Sequence, residues 1–205
     1  MKKKQIVFIL ICINLLLGYL IINSINSEIE FQKIAKERIS ENIQKLKDLR
    51  QVQIAYKKNY GSYADNFNDL IYFLENDSIS IIKAIGETPD SISEEEALKL
   101  EIISRDTGYV LAKESVFDNS YIENRDNKNK IDISTLTNVP YSNMKYKINA
   151  GEIEKGKVIV QVFEISTTYK EIFTGLDANN KSYNLHSLLK VGSMEEASLN
   201  GNWGE

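Results

Sequence analysis

Hydrophobic and polar positions divide the chain into zones with different periods. From Ile6 to Ile22 every residue is apolar except Asn14, with Gly18 and Tyr19 as mild exceptions. From Ile39 onward the apolar residues become periodic. Ile39, Ile43, Leu46, Leu49, Val52, Tyr56 and Tyr60 recur at steps of three and four, which predicts one stripe along an amphipathic helix. Neither Pro nor Gly interrupts the chain between Ile21 and Tyr60, so the two zones read as parts of one helix. Between Ser27 and Arg38 the stripe thins to Ile29, Phe31 and Ile34, which predicts a solvated helical stalk. Gln32, Lys36 and Arg50 interrupt any strict heptad seam, and this argues against an extended coiled coil.

The first zone has the dimensions of a membrane anchor. Seventeen helical residues span about 26 Å, close to the thickness of a bilayer's hydrocarbon core. Lys2, Lys3 and Lys4 precede it, which predicts an N-terminus on the cytoplasmic side. The apolar run is long for a cleaved signal peptide, and residues 21–27 hold no small-x-small cleavage pattern. Cys12, the single cysteine, lies inside the run, preceded by Ile11 where a lipidation site needs a small residue. The expected organisation is a cytoplasmic end at 1–5, an anchor at 6–23, a stalk at 24–38 and an α+β domain at 39–205.

The helix is expected to stop at Tyr60-Gly61, with Gly61 in the left-handed position after the last turn. Asp65 or Asn66 then caps a short helix over Phe67–Leu74. Residues 79–85 read as helical or turn-rich, closed by Gly86 to Pro89. Ser93-Glu94-Glu95-Glu96 opens a helix as a capping box. Gly108–Ala112 predicts a strand. Met144 to Ala150 alternates apolar and polar, Val158–Ile165 is nearly continuously apolar, and a turn at 154–157 joins them. Tyr169–Phe173 is expected as a third strand, Ser182–Lys190 as a helix, and 191–205 as a polar tail docked by Trp203. The fold class is therefore α+β, with the long helix packed on a small antiparallel sheet.

At this point the sequence resembles a known family. A helix leaving the membrane and closing with Ala55-Tyr56-Lys57-Lys58-Asn59-Tyr60-Gly61-Ser62-Tyr63, followed by Phe67-Asn68-Asp69-Leu70, resembles the pilin-like proteins of type IV pili and type II secretion. The resemblance covers Ile39–Leu74. It implies a membrane-spanning helix continuing into a periplasmic domain and a structural or assembly role in an envelope complex. That family also carries a small residue before a Phe, with a Glu five residues into the mature chain, as its leader-peptidase site. Lys4-Gln5-Ile6 stands in that place here, which favours a platform component over a filament subunit. The whole chain also resembles a family of single-pass envelope proteins of Gram-negative bacteria. This implies an inner-membrane location and no particular activity.

Composition narrows the chemistry. Setting aside Lys2–Lys4 leaves 22 basic against 29 acidic residues, a net charge of −7, which argues against a nucleic-acid partner. One cysteine permits neither an intrachain disulfide nor a cysteine-based zinc site. His186 is the only histidine, and its neighbours form neither a nucleophile elbow nor a metal-ligand spacing. The glycines make no phosphate-cradling loop. Glu94–Glu96 are better explained by the dipole at a helix start than by a metal. Residues 118–132 are expected as a mobile polar loop, in which Asp126, Asn129 and Asp132 carry oxygen ligands without the EF-hand spacing.

No catalytic, cofactor or metal residues are assigned. The expected functional residues are the helix stripe and the helix exit at Gly61 and Tyr63. Expected partners are the membrane and envelope proteins, with self-association through the stalk. An alternative is a ligand-binding or sensor ectodomain, acting through a partner protein because Met1–Gln5 is short, with a pocket lined by Tyr109, Tyr141 and Tyr146.

Overall fold

The computed structural model describes residues 3–85, 93–100, 102–126, 131–179 and 181–204. One helix, α1 (Lys3–Tyr60), runs unbroken for 58 residues, a length of about 87 Å. It ends where expected. Gly61 adopts φ +85°, and its N–H donates to the Lys57 carbonyl at 2.7 Å. Lys57 and Lys58 occupy the last turn, where positive charge suits the exposed carbonyls. Asn66 then caps α2 (Phe67–Asn76) by accepting the Asp69 N–H, and α2 buries Leu70, Phe73 and Leu74.

Residues 79–85 differ from the expectation. Asp77 is extended and ends α2, after which β1 (Ser78–Ile85) pairs antiparallel with β2 (Ser104–Leu111), Ser78 opposite Leu111 and Ile85 opposite Ser104. The β-branched run Ile79, Ile81, Ile82, Ile85 suits a strand once a partner exists, and that partner comes from a separate segment, Ser104–Leu111. The break at Gly86–Pro89 lies outside the described residues. Between the strands α3 (Glu94–Lys99) starts with the Glu96 N–H donating to the Ser93 hydroxyl at 3.3 Å. Short helices α4 (Ala112–Val116) and α5 (Asn119–Glu123) and a 3-10 turn at Ile133–Thr135 follow.

A second sheet has the order β3–β4–β5, from β3 (Lys147–Lys155), β4 (Val158–Thr168) and β5 (Leu188–Gly192), all antiparallel. The β3–β4 connection is the expected turn, with Gly156 at φ +58° and Lys157 at φ +70°. The third strand is not Tyr169–Phe173. That stretch begins with the helix α6 (Tyr169–Ile172), started by a capping box in which the Thr168 hydroxyl accepts the Glu171 N–H and the Glu171 carboxylate accepts the Thr168 N–H. The strand comes instead from the segment expected as helix over 182–190. In β5 Leu189 and Val191 are buried while Leu188 is exposed and Lys190 half-buried, a period of two.

Gly192 ends β5 at φ +74°, where an added Cβ would stand 2.2 Å from the Phe163 carbonyl oxygen. The chain then folds back. The Gly192 N–H donates to the Asn200 carbonyl, the Asn202 N–H donates to that of Lys190, and the half-buried Trp203 lies over Gly201.

The core lies between α1 and the three-stranded sheet, closed by α2 and α4. Leu46, Leu49, Val52, Phe73, Phe163, Ile165, Ile172, Leu189 and Val191 are fully enclosed. Each such side chain contributes roughly 1.5–3 kcal/mol by leaving water. Packing on α1 starts earlier than expected. Phe31 and Ala35 are buried, Phe31 meets the rings of Phe173 and Tyr183 edge-on, and Glu28 pairs with Lys181 at 2.7 Å. The stretch 28–38 is therefore docked on the domain rather than a free stalk. Its apolar positions look sparse because two large aromatics from elsewhere in the chain complete the contact.

Candidate functional site

The expected stripe on α1 is turned into the protein's own domain. Leu46, Leu49 and Val52 are fully buried, and Ile39, Ile43 and Tyr56 are half-buried against the same core. Tyr60, at the end of the stripe, is half exposed. Its ring packs on Tyr56 and Phe73, and its hydroxyl donates to the Asp77 carboxylate. That hydrogen bond, assisted by burial and by the Asp77 charge, pushes the phenol up to about 12. At the exit, Tyr63 is buried against Phe163, ring centres 4.7 Å apart, with the Lys57 ammonium over its ring at 4.5 Å from the centre. These residues hold the helix to the sheet.

Part of the buried face of α1 is a regular seam that does not follow apolarity, with Gln44, Asp48 and Val52 buried beside it. Ala35, Ile39, Asn42, Leu46, Leu49, Gln53 and Tyr56 are spaced alternately by four and three, the seam of a helix facing one partner surface. Two of these seam residues are polar, and both are fully enclosed. Gln53 acts as a backbone strand would. Its amide donates to the Ala64 carbonyl at 2.8 Å and its oxygen accepts the Ala64 N–H at 3.0 Å. This satisfies a turn that leaves the helix and has no ladder of its own. Asn42 donates to the Arg38 carbonyl and accepts from the Tyr146 hydroxyl at 2.6 Å. Burial, with smaller contributions from Asp48 and Glu41, raises the Tyr146 phenol well above its ordinary value, so it remains a donor.

A second polar centre sits beside the seam. The buried Asp48 carboxylate accepts from Arg125 Nη2 at 2.7 Å and Nε at 3.1 Å, from the Tyr121 hydroxyl at 2.8 Å, and from Gln44 at 2.9 Å. The Gln44 oxygen in turn accepts the Asp126 N–H. Asp48 and Arg125 side chains are only 2% and 7% exposed. A pair so enclosed is favourable because the two-pronged geometry and the extra hydrogen bonds compensate the lost water. Burial and the Asp48 charge raise the Tyr121 phenol, which therefore stays protonated. Nearby, Lys45 donates to the carbonyls of Thr135 and Asn138 at 2.6 and 3.0 Å. Burial lowers its pKa, opposed by Asp132, Asp48 and Glu41. Next to these groups is a cleft of about 220 Å³ that Glu41, Lys45, Asp48, Arg125, Asp132 and Thr135 help to line.

The centre clamps Tyr121, Arg125 and Asp126 to the middle of α1, and Lys45 holds Thr135 and Asn138 beside them. Its carboxylate, guanidinium and phenol are engaged with one another, an arrangement suited to holding a loop. The chain matches no protein-family model, no curated protein and no solved structure.

The remaining expected positions are dispersed. Tyr109 is 74% exposed on β2, Tyr141 lies over the Arg38 guanidinium at 4.5 Å and donates to Glu41, and Tyr146 is buried beside Asn42. The structure does not gather them into one pocket. Asp126 pairs with Lys47 at 2.9 Å, Asp132 caps the 3-10 turn through Ser134, and Asn129 lies outside the described residues. Among the described residues no cluster of three or more His, Cys, Asp or Glu is placed to hold a metal. His186 is exposed, its backbone N–H donating to Asn184. Asn14 donates to the Leu10 carbonyl of its own helix at 2.9 Å.

Asp48, Arg125, Gln44 and Tyr121 were missed in the sequence because a polar residue on an amphipathic helix reads as solvated. The spacing holds no signal for them, since the seam passes through Asn42 and Gln53 but not Gln44 or Asp48, and Tyr121 and Arg125 lie outside α1.

Proposed function

We propose that the chain is a single-pass membrane protein of the bacterial envelope. Residues 6–23 anchor it, the N-terminus faces the cytoplasm, and the domain faces the periplasm as a non-catalytic structural or assembly component of a pilin-like or secretion-type complex. One observation carries this reading. α1 is a single helix whose apolar first part, Ile6–Ile22, is exposed along its length, whereas its second part is packed into a domain. In that first part the mean hydropathy over eighteen residues reaches 2.6, with none of that window buried in the domain. A helix so apolar on all sides is stable in lipid and costly in water.

Two points support the platform role over the filament role. Lys4-Gln5-Ile6 occupies the position where the pilin-like proteins carry their processing site. The seam on α1 is also occupied by the chain's own sheet, so a partner must use other surfaces. The non-catalytic part of the reading rests on the Asp48 centre, whose ionised groups are turned onto each other.

The test is fractionation of native membranes, with intact mass on the extracted protein. Resistance to carbonate extraction, protease accessibility from the periplasmic side alone, and a mass beginning at Met1 or Lys2 are expected. Release by carbonate would overturn the anchor. A mass lacking the first few residues would favour a processed filament subunit.

A further inference from the structure

After Ile22 α1 turns polar through Asn23, Ser24, Asn26, Ser27, Glu28 and Glu30, and only Ile25 and Ile29 interrupt this. These two isoleucines stand one turn apart and are 53% and 61% exposed. The domain reaches the same height without covering them. There Glu28 pairs with Lys181, and Phe31 and Ala35 are buried. With 3.6 residues per turn, Ile25 and Ile29 lie about 100° around the helix from those docked positions. Whatever covers them comes from outside the fold.

The same face carries the polar exception and the glycine of the apolar run. Asn14, Gly18, Ile22, Ile25 and Ile29 follow one another at steps of four, four, three and four. They form a stripe about 80° wide and about 22 Å long. Asn14 donates one N–H to the Leu10 carbonyl. Among the described residues no other hydrogen bond reaches its amide, which leaves an N–H and the oxygen on the anchor surface. Amides placed in lipid pair across to a neighbouring helix, and small residues let the two backbones approach. At Gly18 an added Cβ would meet nothing within 4 Å, so that face is open.

Resting on the anchor reading above, we infer that the protein pairs with a second copy of itself through the stripe Asn14, Gly18, Ile22, Ile25 and Ile29, inside the bilayer and for about two turns above it. Copies anchored with the same topology are parallel, so a two-fold axis along the membrane normal sets each stripe residue opposite its own counterpart. A carboxamide is self-complementary in that arrangement. The remaining N–H of one Asn14 donates to the oxygen of the other and the bond is returned. Higher on this face stands Lys36, exposed and charged, where like charges end the contact. The seam that packs on the domain is left undisturbed.

The test is disulfide cross-linking of purified full-length protein with Cys12→Ser in phosphatidylcholine vesicles. One cysteine is added on the stripe, Ile25→Cys or Ile29→Cys, or off it, Asn23→Cys or Ser27→Cys. All four positions are exposed. Oxidation by copper phenanthroline is expected to give covalent dimer several-fold faster at 25 and 29 than at 23 and 27. Energy transfer between donor- and acceptor-labelled copies then measures the affinity. Asn14→Leu should weaken pairing roughly 3- to 20-fold, the range of interhelical hydrogen bonds, while keeping the anchor apolar. Gly18→Leu, unopposed within one chain, should weaken it several-fold through the contact alone. Vesicle flotation separates the two readings. Protein that fails to float overturns the anchor and this inference together. Protein that floats but cross-links equally at all four positions, or pairs undiminished with Asn14→Leu and Gly18→Leu, overturns this inference alone.

Discussion

The two parts of α1 share one backbone and differ in almost everything else. Residues 3–27 are exposed on nearly every side and carry one polar side chain in their apolar run, Asn14, which bonds within its own helix. Residues 28–60 are mixed in composition, yet they enclose Asn42, Gln44, Asp48 and Gln53 almost completely. An apolar helix that stands clear of the protein's own domain and a mixed helix that buries its polar groups make the same point. Composition sets the solvent a helix needs, while position on the wheel sets what it touches. In the second part the buried polar groups work as connectors, because a single helix must hold loops, a turn and a sheet that share no hydrogen-bond ladder with it.

The contrast is broken most severely by moving a charge from one part to the other. Leu49→Asp places a carboxylate in the fully enclosed seam. It is expected to destabilise the domain by more than about 4 kcal/mol, enough to leave it unfolded in a denaturant titration. Leu16→Asp, in the exposed apolar run, should leave the domain's unfolding transition where it was and reduce membrane retention, since Asp at a helix centre opposes insertion by roughly 2.5–3.5 kcal/mol.

The Asp48 centre gives the next largest effect. Asp48→Ala strands a buried guanidinium, and the cost expected is about 3–5 kcal/mol. Replacing both partners, Asp48→Leu with Arg125→Met, should restore most of that loss in the same titration, because what is expensive is the unpaired charge. A double mutant as unstable as the single would mean that Tyr121 and Gln44 depend on the carboxylate for more than its pairing.

Gln53→Leu keeps the seam's volume but leaves the Ala64 N–H and C=O without partners, at about 1–3 kcal/mol. Hydrogen exchange at Ala64 should speed up selectively, and exchange no faster than in the unchanged protein would show that the turn is held by packing alone.

The smallest expected effect is a pH dependence at the start of α6. Burial by itself would raise the Glu171 carboxyl, but the Thr168 N–H and the Thr167 and Thr168 hydroxyls hold it below its ordinary value. A carboxyl depressed in the folded state adds stability that is present above the unfolded value, about 4.3, and is lost as pH falls through the folded one. Glu171→Gln should therefore flatten the acid limb of the stability curve, lowering stability most at neutral pH and least below the folded carboxyl's pKa. An unchanged acid limb would place the pH dependence in other carboxylates.

Much of the local design was legible before any coordinates. The unbroken helix, its stop at Gly61, the Asn66 cap, the Gly156 turn and the central strand β4 each depend on residues close together in the chain. The exchange of helix and strand after Thr168 shows where local reading stopped. Thr168-Tyr169-Lys170-Glu171 carries a capping-box pattern that outweighed the strand propensity of Tyr, Ile and Phe, and Leu188–Gly192 became a strand because β4 offered it an open edge.

By itself, the amino-acid order determined the long helix, its apolar first part, the sites where it stops and restarts, and the α+β class. These follow from hydrophobic period, backbone-permissive residues and caps, which act over a few residues. Only the tertiary structure decided that Glu28–Arg38 is docked rather than a stalk, that β1 pairs with β2, and that Asp48 meets Arg125, Tyr121 and Gln44. Those contacts join side chains from distant parts of the chain, and the energy that selects them does not exist until the chain is folded.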